Sequence, residues 1–179
     1  MPEYRRLYQK GGTYSFTIVT YQRQPILWDD SISLLNECFE ETMKNHPFSI
    51  EALVILPDHL HTIWTLNDSE SDFSPRWNAI KGMFSRRYSA YSKENISESR
   101  MKKREKGVWQ RRFWEHLIRD QNEFNNLCDY IHYNPVKHGL VKSPAEWKHS
   151  SHIKFVEQGL YPEEWVLSTN MGLGAIDLE

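Results

Sequence analysis

Two apolar runs rich in β-branched residues, Phe48 to Leu56 and His59 to Leu66, are separated only by Pro57-Asp58. Each run has strand length, and neither has the polar stripe of a surface helix. So short a connection demands an antiparallel pair, because a parallel pair needs a crossover of a dozen residues or more. Every other segment must be built around this hairpin.

Tyr14 to Tyr21 alternates, with Tyr14, Phe16 and Ile18 on one face, and reads as a strand. Ser31 to Lys44 carries Ile32, Leu35, Phe39 and Met43 at helical spacing. Ser74 suits the N-cap of a helix bearing Trp77, Ile80, Phe84, Tyr88 and Tyr91. Arg112 to Ile118 reads as a fourth strand, and Gln121 to Tyr133 as a helix stopped by Asn134-Pro135. The order is β-α-β-β-α-β and then a helix. This is the α+β, ferredoxin-like pattern, an antiparallel sheet with helices on one face and the other face open. In that topology the first and third strands are central. Residues 1–142 form the expected core domain, and 143–179, with Trp147, Trp165 and an acidic end, an extension packed on it.

Nothing resembles a membrane span or a signal peptide, since no apolar run approaches 18 residues. Cys38 and Cys128 both lie in helix-like apolar patterns and read as buried thiols in a reducing compartment. The net charge of −2 hides an asymmetry. Lys81 to Arg119 holds twelve Lys and Arg against four Glu, so this stretch carries +8 and the remainder −10. Such a stretch is a footprint for phosphate, or a solvated loop, since Ser92 to Lys106 is nearly free of apolar residues. The 13% of aromatic residues serves a core or base stacking, and composition alone favours the core.

Two constellations carry chemistry. In Leu56-Pro57-Asp58-His59-Leu60-His61-Thr62, strand alternation turns His59 and His61 the same way. Two imidazoles on an open face can grip a divalent cation; the bland reading is a pair of hydrogen-bonded histidines. In Cys128-Asp129-Tyr130-Ile131-His132-Tyr133-Asn134-Pro135, the apolar stripe is Phe124, Leu127, Cys128 and Ile131. Tyr130 and Asn134 lie one turn apart at its edge, while Tyr133 falls nearly opposite. The bland reading makes Tyr130 a boundary tyrosine. Together the two groups suit one reaction. A phenol is a poor nucleophile at neutral pH, and a divalent ion on a phosphate offsets the charge of the attack. Two imidazoles and one carbonyl oxygen suit Mg²⁺ or Mn²⁺, with histidine favouring Mn²⁺.

These stretches, with Tyr4-Arg5-Arg6, Gly11 to Thr17, Ile63-Trp64, Phe113-Trp114-Glu115-His116 and Val136-Lys137-His138-Gly139, resemble the REP-associated tyrosine transposases of the HUH superfamily, relatives of the single-tyrosine insertion-sequence transposases. The likeness reaches about Trp165. It implies that residues 1–142 are the catalytic domain. It makes His59 and His61 metal ligands, Tyr130 the nucleophile, and Asn134 the third ligand where relatives often carry Gln. It further implies Mg²⁺ or Mn²⁺ as cofactor and action on single-stranded DNA hairpins from repetitive extragenic palindromes, beside a guide tetranucleotide. The implied product is a 5′-phosphotyrosine with a free 3′-hydroxyl.

DNA contacts are expected from Arg5, Arg6 and the Gly11-Gly12 bend toward bases. Arg86, Arg87, Arg111, Arg112 and Lys137 are candidates for phosphates. Insertion-sequence relatives act as dimers; the extension is expected to cover that surface and leave a monomer. The acidic end is expected to shield the basic cleft. The expected location is the bacterial cytoplasm, at the nucleoid, with no membrane partner. Two rival readings stand beside this one. One is a non-catalytic single-stranded nucleic-acid-binding module on the same sheet. The other is a metal-dependent hydrolase in which water attacks and Tyr130 is structural.

Overall fold

In the computed structural model, residues 6–88, 99, 102 and 106–165 are described. The strands are β1 (Thr13–Val19), β2 (Phe48–Ile55), β3 (His59–Leu66) and β4 (Trp114–Leu117), and the helices are α1 (Asp29–Asn45), α2 (Ser74–Arg87), α3 (Gln121–Lys137) and α4 (His152–Glu157). The sheet order is β2-β3-β1-β4 with every pair antiparallel, so β1 and β3 are central as the ferredoxin-like reading requires. The β2–β3 hairpin closes through Leu56 N–H donating to His59 O at 2.8 Å.

One face packs against α1 and α2. Tyr14, Phe16, Ile18, Leu60, Trp64 and Leu66 meet Leu35, Phe39, Trp77 and Ile80 there. The indoles of Trp64 and Trp77 stack at 4.1 Å in a core that also buries Phe16, Phe39, Phe73 and Phe84. A bulge at Glu51 keeps β2 in step with this face. Phe48 and Ile50 lie on it before the bulge, and Leu53 and Ile55 after it, while Ala52 turns to the other side.

The second face is not open. Ala52, Val54 and Ile63 pack under Leu127, Cys128, Tyr130 and Ile131 of α3, with Trp147 and Phe155 of the extension alongside. An apolar strand face must be covered, and the stripe on α3 supplies the cover. Cys38 and Cys128 are free and buried, as expected. Boundaries also differ from the sequence reading: β1 ends at Val19 rather than Tyr21, and β4 begins at Trp114 rather than Arg112. Helix α3 does not stop at Tyr133 but runs through Pro135 to Lys137. Asn134 and Pro135 are buried there, and packing overrides the pre-proline preference. Ser74 is the first helical residue rather than the cap, and Asp72 Oδ1 accepts its N–H at 2.7 Å.

The extension pairs with the sheet. Ile55 N–H donates to His149 O, and Ser151 N–H to Leu53 O, so part of the β2 edge is covered. A relay then ties it to α3. Ser151 Oγ lies 2.8 Å from His132 Nε2, His132 Nδ1 lies 3.1 Å from Tyr161 Oη, and that hydroxyl donates to Asp129 at 2.5 Å. Tyr91, Arg5, most of the polar loop and, of the acidic end, Asp177 and Glu179 lie outside the described residues, while Glu163 and Glu164 are exposed.

The Gly11-Gly12 bend serves the fold. Gly11 has φ of +62°. A Cβ on Gly12 would stand 2.8 Å from the buried Tyr14 ring and 2.9 Å from Gln9 O. Neither neighbour can retreat, since Tyr14 Oη accepts Gln9 N–H at 2.6 Å. Gly12→Ala is therefore expected to cost about 1–3 kcal/mol in thermal unfolding. An unchanged melting temperature would show that the bend can relax.

Candidate active site

His59 and His61 stand opposite Val19 and Thr17 on the face beneath α3, and both are fully buried. Their rings lie 5.0 Å apart at 89°. Each is oriented through Nδ1. His59 Nδ1–H donates to Asp58 Oδ1 at 2.6 Å, and Asp58 Oδ2 meets Arg23 Nη1 at 3.2 Å. His61 Nδ1 lies 2.9 Å from Thr17 Oγ1. Burial opposes ionisation of Asp58, but His59 and Arg23 outweigh it and hold its carboxyl below the usual range. Burial, with the nearby charges of Lys137 and Arg23 adding to it, pushes His61 well below the ordinary histidine value, so its ring is neutral.

Helix α3 lays one row of side chains across this pair. The Tyr130 ring meets His61 at 5.5 Å, edge to face. His138, just past the helix end, meets His59 at 5.0 Å. Asn134 is four residues from each, so it falls between them on the same row. Its Nδ2 donates back to Tyr130 O at 3.0 Å. Lys137 Nζ donates to Tyr130 Oη at 3.1 Å and lies 5.0 Å from the ring centre.

Three polar atoms in this layer are buried and have no hydrogen-bond partner among the described residues: His59 Nε2, His61 Nε2 and Asn134 Oδ1. Unsatisfied buried polar atoms are costly, and three in one layer mark a place for an external group. Two imidazole nitrogens and one amide oxygen fit a divalent cation that accepts mixed nitrogen and oxygen donors. Among the described residues no cluster of three His, Cys, Asp or Glu is placed to hold a metal. Asn134 is a described residue of another type that stands beside the pair.

The remaining sequence candidates scatter. Arg6 lies on the opposite face of the sheet, 3.4 Å from Glu115 and 4.6 Å over Phe113. Gly11 and Gly12 precede the end of β1 remote from Val19, hence from His59. Arg87 donates to Glu41 at 2.6 Å on the surface. Arg86 and Arg111 join Lys81 and Lys106 around a cavity of about 580 Å³. Arg112 is exposed. A larger cavity of about 1180 Å³ lies along β2 beneath the extension, away from the histidine pair. Sequence reasoning assigned no role to Asp58, Thr17, Arg23 or His138. Asp58 had a signal, as the neighbour of His59; Thr17 needed the strand register.

Residues 8–134 match the family described as IS200-like transposases. The chain is 39% identical over 165 residues to the REP-associated tyrosine transposase of Escherichia coli, covering 92% of this chain and 91% of that one. A Haemophilus influenzae relative is 41% identical over 165 residues, covering 92% and 93%. The solved structure of a REP-associated tyrosine transposase bound to a REP hairpin matches with a TM-score of 0.78 at 39% identity, over 93% of this chain and 92% of that one.

Proposed function

This chain belongs to the IS200-like transposase family, and from that premise we propose that it cleaves and rejoins single-stranded DNA at hairpins of repetitive extragenic palindromes, with Tyr130 as nucleophile. The observation that carries the reading is the row of Tyr130, Asn134 and the two histidines, with three unsatisfied buried polar atoms. A hairpin-bound relative of the same fold supports the choice of substrate.

In this reading His59 Nε2, His61 Nε2 and Asn134 Oδ1 would hold Mg²⁺ or Mn²⁺. The ion would polarise the scissile phosphate and offset its charge. Asp58 and Thr17 fix the imidazoles so that each Nε2 presents a lone pair. Tyr130 Oη attacks phosphorus, the P–O3′ bond breaks, and the phenolic proton is balanced by the one gained at the 3′-hydroxyl. Lys137 donates to the attacking oxygen and keeps positive charge where negative charge develops, in cleavage and in its reversal. One phosphodiester replaces another, so rejoining needs no nucleotide cofactor. The cavity ringed by Lys81, Arg86, Lys106 and Arg111 suits backbone phosphates. Pairing of residues 149–151 with β2 supports a monomer, since it occupies an edge another subunit would otherwise meet.

The test is a denaturing gel of labelled hairpin DNA with single-stranded flanks, incubated with the protein and Mn²⁺. The expected product is a protein-linked fragment and a free 3′-hydroxyl strand. Cleavage without a protein-linked fragment would make water the nucleophile. Binding without cleavage would leave the non-catalytic module.

A further inference from the structure

The seven tryptophans divide unequally. Trp64, Trp77, Trp109, Trp114, Trp147 and Trp165 each lie against another aromatic ring. Trp28 is 53% exposed, and among the described residues no ring contact is formed by it. Yet it is held in place. Its Nε1–H donates to Pro25 O at 2.7 Å, its backbone N–H to Ser31 Oγ at 2.8 Å, and its carbonyl accepts Ile32 N–H at 2.7 Å. An exposed indole with a fixed orientation has already lost the freedom that stacking would cost it.

The loop that carries Trp28 is built onto the turn that aims His59. Leu27 N–H donates to Pro57 O at 2.9 Å, and Thr20 N–H to Asp58 O at 2.9 Å. Thr20 Oγ1 contacts both Asp58 O and Gln24 O. Arg23 reaches Asp58, the partner of His59. Between these ties Gln22 and Arg23 hold φ of 54° and 50°, left-handed backbone that non-glycine residues adopt at a cost. Asp29, which follows Trp28 in the chain, pairs with Lys148 at 2.8 Å and lies 2.9 Å from His149, while its neighbour Asp30 is exposed.

We propose that Trp28 is a stacking platform for one unpaired base of the DNA strand that enters the histidine site, an assignment that rests on the DNA reading above. The base lies flat on the indole, and the Pro57-Asp58 turn sets its offset from the scissile phosphate. Stacking on an aromatic ring tolerates any base, so the platform measures distance along the strand and does not read sequence.

The experiment is fluorescence anisotropy on a labelled hairpin with single-stranded flanks, in EDTA to prevent cleavage. Trp28→Ala is expected to weaken binding about tenfold, and Trp28→Phe, which keeps a ring, about twofold or less. An abasic substitution at one flank position should weaken the wild-type protein as much as Trp28→Ala does, and should weaken Trp28→Ala no further. Melting temperatures of both variants exclude misfolding, since the side chain is largely outside the core. Wild-type affinity in Trp28→Ala overturns the platform while leaving the DNA reading intact. So does an equal loss at every abasic position, or a Trp28→Leu variant that binds like Trp28→Phe. No binding of any hairpin by the wild-type chain overturns both.

Discussion

Tyr130→Phe is expected to give a folded protein that binds hairpin DNA and forms no covalent product with it. The side chain is 2% exposed and packs against His61, so the ring must stay for the layer beneath α3 to remain closed. Phenylalanine keeps that ring. The change removes only Oη, which accepts from Lys137. Loss of this one partly exposed hydrogen bond costs about 1 kcal/mol, well inside the stability of a domain this size. Loss of the nucleophile is of another order, at least about 10³-fold in protein-linked product. Tyr133→Phe is the matched control. It lies on the same helix, nearly opposite the apolar stripe, and is expected to leave the product unchanged. If Tyr130→Phe still yields a protein-linked fragment and Tyr133→Phe does not, the nucleophile has been assigned to the wrong turn of α3.

That pair of tyrosines shows what one sequence can reveal. Helical spacing alone separates Tyr130 from Tyr133, because phase along a helix is a local property. Strand alternation likewise puts His59 and His61 on one side of β3 without any tertiary information. The strand order followed from counting elements and from the hairpin at Pro57-Asp58. What could not be read locally was the layer above the sheet. That α3 closes over the histidines depends on how Leu127, Cys128 and Ile131 seat against Ala52, Val54 and Ile63. The same packing carries α3 through Pro135, against the preference of the Asn-Pro step. Thr17 was invisible for a related reason: its tie to His61 exists only in the register that aligns β1 with β3. Arginines were the poorest guide. Arg6 and Arg87 look alike as charges in sequence, yet one lies over Phe113 beside Glu115 and the other meets Glu41 at the surface.

His61→Leu is expected to abolish stabilisation by Mn²⁺ without lowering the melting temperature of the metal-free protein. In the wild-type chain a fully buried imidazole carries an unsatisfied Nε2 and is held neutral by its surroundings. That arrangement costs stability, and the proposed ion would offset the cost by completing it. Leucine fills similar volume without a polar atom, so removing the imidazole relieves one unsatisfied atom while leaving Thr17 Oγ1 without its ring partner. The two effects are of similar size and opposite sign. A ligand that binds only the folded state stabilises it by about 2.7 kcal/mol at a hundredfold excess over its dissociation constant. The wild-type melting temperature should therefore climb with added Mn²⁺ and that of His61→Leu should stay flat. Thr17→Val is the graded comparison. It leaves all three donors in place and removes only the group that orients one of them, so the Mn²⁺ affinity should fall about 10–100-fold rather than vanish. A His61→Leu protein whose melting temperature still climbs with Mn²⁺ would move the ion to other residues. A Thr17→Val protein with unchanged affinity would mean that packing alone holds the ring.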